Sequence, residues 1–226
     1  MTQFDFIFML TRNDRTVTDA AAHAQTALRA GIRHIGFKDI GLPFDALGDL
    51  QRQIHGAGAM SYLEIVSLDR ESEIRSVKAA IELDVDYILG GTRAEDVLPL
   101  LEGTAIRYYP FPGRVVGHPS ILEGSQAEIV ESAVALAGHP GVAGLDLLAY
   151  RSSGDVSCLI EAVCRAAHKP VIVAGSVDRP DQIETIRGGG AAGFTIGTSA
   201  LDGRFPAASP RLAEQLQAIK ACVASS

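Results

Sequence analysis

The chain has no tryptophan, three cysteines and, among its 20 basic residues, four lysines. Cys158, Cys164 and Cys222 form no CxxC pair. An odd count without a framework argues against a disulfide scaffold and for a reducing, cytoplasmic setting. No run approaches the ~20 unbroken apolar residues that span a bilayer. The apolar opening, Met1 to Leu10, carries Asp5 and lacks a basic leader and a small-residue cleavage site, so no signal peptide is expected. Metal-ligand spacings such as HxxxH, HxH or a Cys/His cluster are missing, so neither a metal nor a cofactor is expected. GxSxG is missing too, and no GxGxxG follows the first apolar run, which speaks against a serine nucleophile elbow and a dinucleotide fold. Twenty basic residues against 27 acidic ones give a net charge of −7 with no basic run, so nucleic acid and anionic membranes are not expected partners.

What is present is a rhythm. Eight apolar segments of strand length recur: 4–10, 34–37, 61–67, 86–89, 105–109, 142–148, 170–174 and 193–196. They are apolar on successive residues, as strands covered on both faces are. Helical stretches separate them. Thr18–Ala30 closes on Gly31, Asp45–His55 closes on Gly56, and Glu71–Leu83 puts Ile74, Val77 and Ile81 on one face. Ala94–Leu101 and Val156–Ala167 continue the series. Ser125-Gln126-Ala127-Glu128 is a capping box, and Asp178-Arg179-Pro180-Asp181 and Ser209-Pro210 open the last two helices. Eight units in 226 residues average roughly 28 residues each, close to the least a βαβ unit needs. The pattern predicts one domain over residues 1–226, a single (β/α)8 TIM barrel, with an open parallel sheet as the alternative.

In such a barrel the chemistry sits at the C-terminal ends of the strands. After the seventh strand comes Ala174-Gly175-Ser176-Val177, and after the eighth Gly197-Thr198-Ser199-Ala200-Leu201. Glycine lets backbone N–H groups approach an anion, and hydroxyls at Ser176, Thr198 and Ser199 add donors. Gly175, Ser176, Gly197, Thr198 and Ser199 are therefore the candidate phosphate ligands, against a simpler reading as tight turns. The stretch from Val171 to Ser176, with Gly193-Phe194-Thr195-Ile196-Gly197-Thr198-Ser199, resembles the last quarter of the ribulose-phosphate-binding barrel superfamily. That group includes N-acylmannosamine-phosphate epimerases, phosphoribosyl isomerases and keto-sugar-phosphate decarboxylases. The resemblance covers about residues 170–202 strongly. It implies the fold and a phosphorylated ligand, and leaves the reaction open.

Gly36-Phe37-Lys38-Asp39 ends the second strand, and Lys38 is the one lysine at a catalytic-end position. An amine in a partly desolvated mouth serves as a base or forms a Schiff base. The pattern is similar to formylfuranylmethyl phosphate synthases, which carry a Schiff-base lysine there, an aspartate ending the sixth strand as Asp146 does here, and an Ala-Gly-Ser turn. That family's second active-site lysine has no counterpart in Leu89-Gly90-Gly91-Thr92. Glu64 and Asp146 interrupt the apolar third and sixth strands and are suited to proton transfer or to an ion pair with Lys38 or Arg107. Asp39 is a weaker candidate. Thr11, Asn13, Arg107, His118 and Arg151 lie in or beside strand-end loops and are the candidate substrate contacts. The long loop after the fifth strand, with His118, is the one stretch able to supply a lid.

Together these features predict an enzyme acting on a small phosphorylated carbonyl compound, as an aldolase-type lyase or as an epimerase or isomerase. Rival readings are a non-catalytic barrel sensing a phosphorylated metabolite, and a flavin-binding barrel. A small phosphorylated substrate is the expected partner, and self-association into homo-oligomers is left open.

Overall fold

The computed structural model describes residues 4–224. The reach of the last helix to Ser226 lies outside them. The eight expected strands form one parallel sheet: β1 (Asp5–Met9), β2 (His34–Lys38), β3 (Met60–Ile65), β4 (Tyr87–Gly90), β5 (Arg107–Tyr109), β6 (Leu145–Leu147), β7 (Val171–Val173) and β8 (Gly193–Ile196). Its order is β6-β7-β8-β1-β2-β3-β4-β5. The two edges meet through the Tyr108–Val142 bridge, with Ala143 N–H donating to Tyr108 O at 2.9 Å and Asp146 N–H to Pro110 O at 3.1 Å. This closes the barrel. The sixth strand is shorter than its apolar run because residues 142–144 give only that one bridge, while the ladder to β7 starts at Leu145.

Alternate residues of each strand point to opposite faces. One set packs outward against the helices, including Phe8, Ile35, Phe37, Leu63, Ile88, Val173 and Phe194. The other fills the barrel interior: Ile7, Met9, Tyr62, Leu89, Tyr109 and Ile172. Burying each such side chain contributes roughly 1.5–3 kcal/mol. Two inward glycines make the large residues fit. A Cβ on Gly36 would lie 2.2 Å from Met9 Sδ, and one on Gly144 would lie 2.1 Å from Tyr109 Cε1.

Helices α1 (Ala20–Arg29), α2 (Phe44–Gly56), α3 (Arg70–Glu82), α4 (Ala94–Leu101), α5 (Gln126–Ala137), α6 (Val156–Ala167) and α7 (Pro180–Gly188) return the chain between strands. Their starts follow local chemistry. Ser125 and Glu128 form the expected capping box, Asp69 accepts from Ser72 N–H, and Asp155 accepts from Cys158 N–H. A short α8 (Thr198–Leu201) precedes α9 (Leu212–Ala224), which begins three residues after the expected Ser209. Among the described residues no helix is long and apolar enough to cross a membrane.

Two small hairpins at the C-terminal end were not legible as strands. One pairs Thr11–Arg12 with Arg15–Thr16 after β1; the other pairs Arg114–Val116 with Ile121–Glu123 after β5. The first turns on Asn13 and Asp14, both at positive φ (51° and 54°), the pattern of a two-residue type I′ turn. Asn and Asp tolerate that backbone better than other side-chain-bearing residues.

Candidate active site

Lys38 ends β2 and Glu64 sits opposite it on β3, in direct register. Both point inward. Lys38 is 2% exposed, so its ammonium needs partners. It finds Asp14 Oδ1 at 2.8 Å and Glu64 Oε2 at 3.3 Å. Asp14 also takes Arg151, with Nη1 to Oδ2 at 2.8 Å and Nη2 to Oδ1 at 3.1 Å. Burial works against the Asp14 charge, but the bonds from Arg151 and the charge of Lys38 outweigh it and hold the carboxyl well below the usual range.

Asp146 is fully buried, and neither of its side-chain oxygens has a hydrogen-bond partner. Its register partner on β7, Ile172, belongs to the interior cluster, so Asp146 also faces inward. Burial first, and the charge of Glu64 second, push its carboxyl well above the ordinary range. The site thus favours the neutral form of Asp146. Around it, Lys38 and Arg151 are paired with Asp14, and Lys38 also with Glu64.

A cavity of about 290 Å³ opens above this cluster. Lys38, Glu64, Asp14 and Arg151 line it together with Gly175, Ser176, Gly197, Thr198 and Ser199. Thr11, Asn13, Pro119 and Arg204 are also among its lining residues. The Ser199 hydroxyl is buried and has no partner. Gly175 has φ +101°, where a Cβ would lie 3.0 Å from the Arg151 side chain and backbone N. At Gly197 a Cβ would lie 2.8 Å from Met9 O. Both glycines thus let the loops sit close against neighbouring elements, a packing reason that holds with or without an anion.

The candidates read from sequence fall into three groups. Thr11, Asn13, Lys38, Glu64, Arg151, Gly175, Ser176, Gly197, Thr198 and Ser199 share the cavity. Asp146 does not line it and lies among the side chains beneath. Arg107 and His118 are not brought to it. Arg107 begins β5, at the opposite end of the barrel, where its guanidinium donates to Tyr87 Oη at 3.0 Å. Arg107 lies inside the expected run 105–109 and was grouped with the loop after it, but the strand begins at Arg107. His118 lies exposed on the second hairpin, whose Pro119 faces the cavity instead. Asp39 accepts from the Ser76 hydroxyl, away from the cavity. Asp14 and Arg204 were missed. The Asn-Asp pair between Arg12 and Arg15 was the available signal for Asp14.

The architecture defines the class: a closed (β/α)8 barrel with its polar cavity at the C-terminal end of the strands. No family model and no curated protein matches the chain. Solved structures do match in fold. Thiamine phosphate pyrophosphorylase from Pyrococcus furiosus aligns with a TM-score of 0.66 at 13% identity, over 99% of this chain and 97% of that one. Orotidine 5'-phosphate decarboxylase from Pyrococcus horikoshii OT3 aligns with a TM-score of 0.70 at 12% identity, over 97% and 99%. A cube-shaped designed protein cage built by fusing symmetric oligomeric domains aligns at 0.68 and 16%, over 99% and 73%. All three share the parallel barrel fold expected from the sequence, and at 12–16% identity that is what the likeness shows.

Proposed function

We propose that this chain is an enzyme of small phosphorylated carbonyl compounds that moves a proton beside the carbonyl, as an isomerase or epimerase does. The observation that carries the reading is the Lys38–Glu64 pair in one cavity with the two glycine loops. The phosphate lies against the loops at Gly175-Ser176 and Gly197-Thr198-Ser199, with Arg204 lining the same cavity. Glu64 takes the proton from the carbon next to the carbonyl. Lys38, as an ammonium, donates to the carbonyl oxygen as it becomes an enediolate. Asp146 lies outside the cavity lining and touches no substrate; burial and the charge of Glu64 favour its neutral form.

Lys38 held between two carboxylates favours this role over Schiff-base formation, which needs a free amine. A cavity of about 290 Å³ suits a small sugar phosphate better than the three-ring system of a flavin. The fold neighbours, named for phosphorylated compounds, are consistent with the phosphate reading.

The test is solvent exchange. The protein is incubated in D2O with small aldose and ketose phosphates, and the proton signals beside the carbonyl are followed by NMR. Deuterium wash-in is expected with the wild type and a loss of ~10²–10⁴-fold with Glu64→Gln or Lys38→Met. Borohydride treatment with substrate is expected to leave Lys38 unmodified; a reduced adduct there would replace proton transfer by lyase chemistry. Tight binding of a phosphorylated compound without exchange or turnover would favour the sensor.

A further inference from the structure

Asp14 lines the cavity, yet its carboxylate is fully engaged. Oδ1 accepts Lys38 Nζ at 2.8 Å and Arg151 Nη2 at 3.1 Å; Oδ2 accepts Arg151 Nη1 at 2.8 Å and the Ser120 N–H at 3.0 Å. A carboxylate offers about four acceptor positions, and all are used. Nothing is left for a substrate proton or a metal. The same hairpin makes a second, independent hold on Lys38. Thr16 Oγ1 donates to Lys38 O at 2.7 Å and accepts from Lys38 N–H at 2.8 Å. One residue of the hairpin grips the lysine's backbone and another its ammonium, across a two-residue turn that fixes their spacing.

Asp14 also reaches the second hairpin. Ser120 gives it an N–H, and Ser120 O accepts from Arg151 Nη1 at 3.2 Å. Pro119, the neighbouring residue, is the one that faces the cavity. The wall after β5 is thereby pinned to the carboxylate that holds the lysine.

We infer that Asp14 is the positioning residue of this site: through the type I′ hairpin it fixes where the Lys38 ammonium sits and ties it to the wall formed by residues 119–120. Its importance for turnover rests on the reading of Lys38 as the working cation, but the arrangement is testable without any substrate. Besides Asp14, the groups acting on Lys38 are Glu64 from β3, Asp146 from β6 and the adjacent Asp39, while Arg151 from the loop after β6 shares Asp14 with it.

The experiment uses the four lysines. Incorporation of ¹³C-lysine gives each ε-methylene its own NMR signal, whose titration midpoint is read without altering the ammonium. In Asp14→Asn the Lys38 midpoint is expected to fall by about one pH unit or more, because one of its two carboxylates is gone. Lys78, Lys169 and Lys220 are expected to stay in place. Thr16→Val is expected to shift the Lys38 signal while leaving its midpoint nearer the wild type. Asn suits the turn, so the variant is expected to fold. Should it not, Asp14→Gly, better still in a type I′ turn after Asn13, carries the same measurement. An unchanged Lys38 midpoint in a folded variant overturns the assignment. It would leave the phosphate-carbonyl reading untouched, which stands or falls on the exchange assay.

Discussion

The two ends of the barrel interior are both polar, and they handle polarity in opposite ways. At the N-terminal end, rings do the filling. Tyr62 stacks on Tyr87 with centroids 4.3 Å apart, Tyr87 meets Tyr109 at 5.8 Å, and Tyr62 Oη and His34 Nδ1 share a hydrogen bond of 2.7 Å. Burial lowers the His34 pKa and raises that of the Tyr62 phenol, which favours the neutral form of each. At the C-terminal end the same barrel places four charged side chains around open space, with Asp146 buried and unpartnered outside the cavity lining. Tyrosine plugs bring their own apolar volume, and a hydroxyl needs one partner. Charges need several, and here two elements outside the barrel, the hairpins, were added to provide them. The difference separates a filled end from an open, charged one.

Substitutions at the two ends should therefore part company. The largest expected effect is the loss of exchange of ~10²–10⁴-fold in Glu64→Gln, set against unchanged exchange in Arg107→Met at the far end. A next, smaller effect is Gly175→Ala. Its added Cβ meets Arg151 in a left-handed backbone, and phosphate affinity measured by calorimetry is expected to fall by about tenfold or more, with a stability loss of about 1 kcal/mol.

Asp146→Asn comes third and has the opposite sign. The folded chain prefers the neutral acid, so the contribution of Asp146 is fully present below its unfolded value near 4. It is lost as pH rises from there through the raised folded value. Wild-type Tm is expected to drop relative to the Asn variant between pH 5 and pH 8, by a few °C. Parallel curves would mean Asp146 is ionised. Asp14 runs the other way: its lowered carboxyl contributes stability at neutral pH that is lost in acid. The smallest effect is Tyr62→Phe, about 1 kcal/mol from the bond to His34, with phosphate affinity unchanged.

The barrel itself was legible because its signal is repeated. Eight apolar runs alternating with capped helices leave few topologies, and Lys38 and Glu64 stood out because a charge in such a run demands a use or a partner. The site's supports were not legible for a physical reason. Asp14 and Thr16 act from a six-residue hairpin whose strands are two residues each, too short to show alternation. Arg107 was misplaced because it starts a strand rather than ending one, and that difference inverts which end of the barrel a side chain serves. His118 fell in the right loop, but on a hairpin face turned to solvent. The glycine loops had the strongest family resemblance, and their glycines prove to have a packing role as well.

That last point sets the decisive measurement: a crystal structure grown with inorganic phosphate. The account predicts an anion in the cavity at Ser176 and Ser199, with Lys38 and Glu64 lining the same cavity and the Ser199 hydroxyl now partnered. A cavity left empty at saturating phosphate, with the anion bound elsewhere, would reduce the two loops to tight turns and contradict the account.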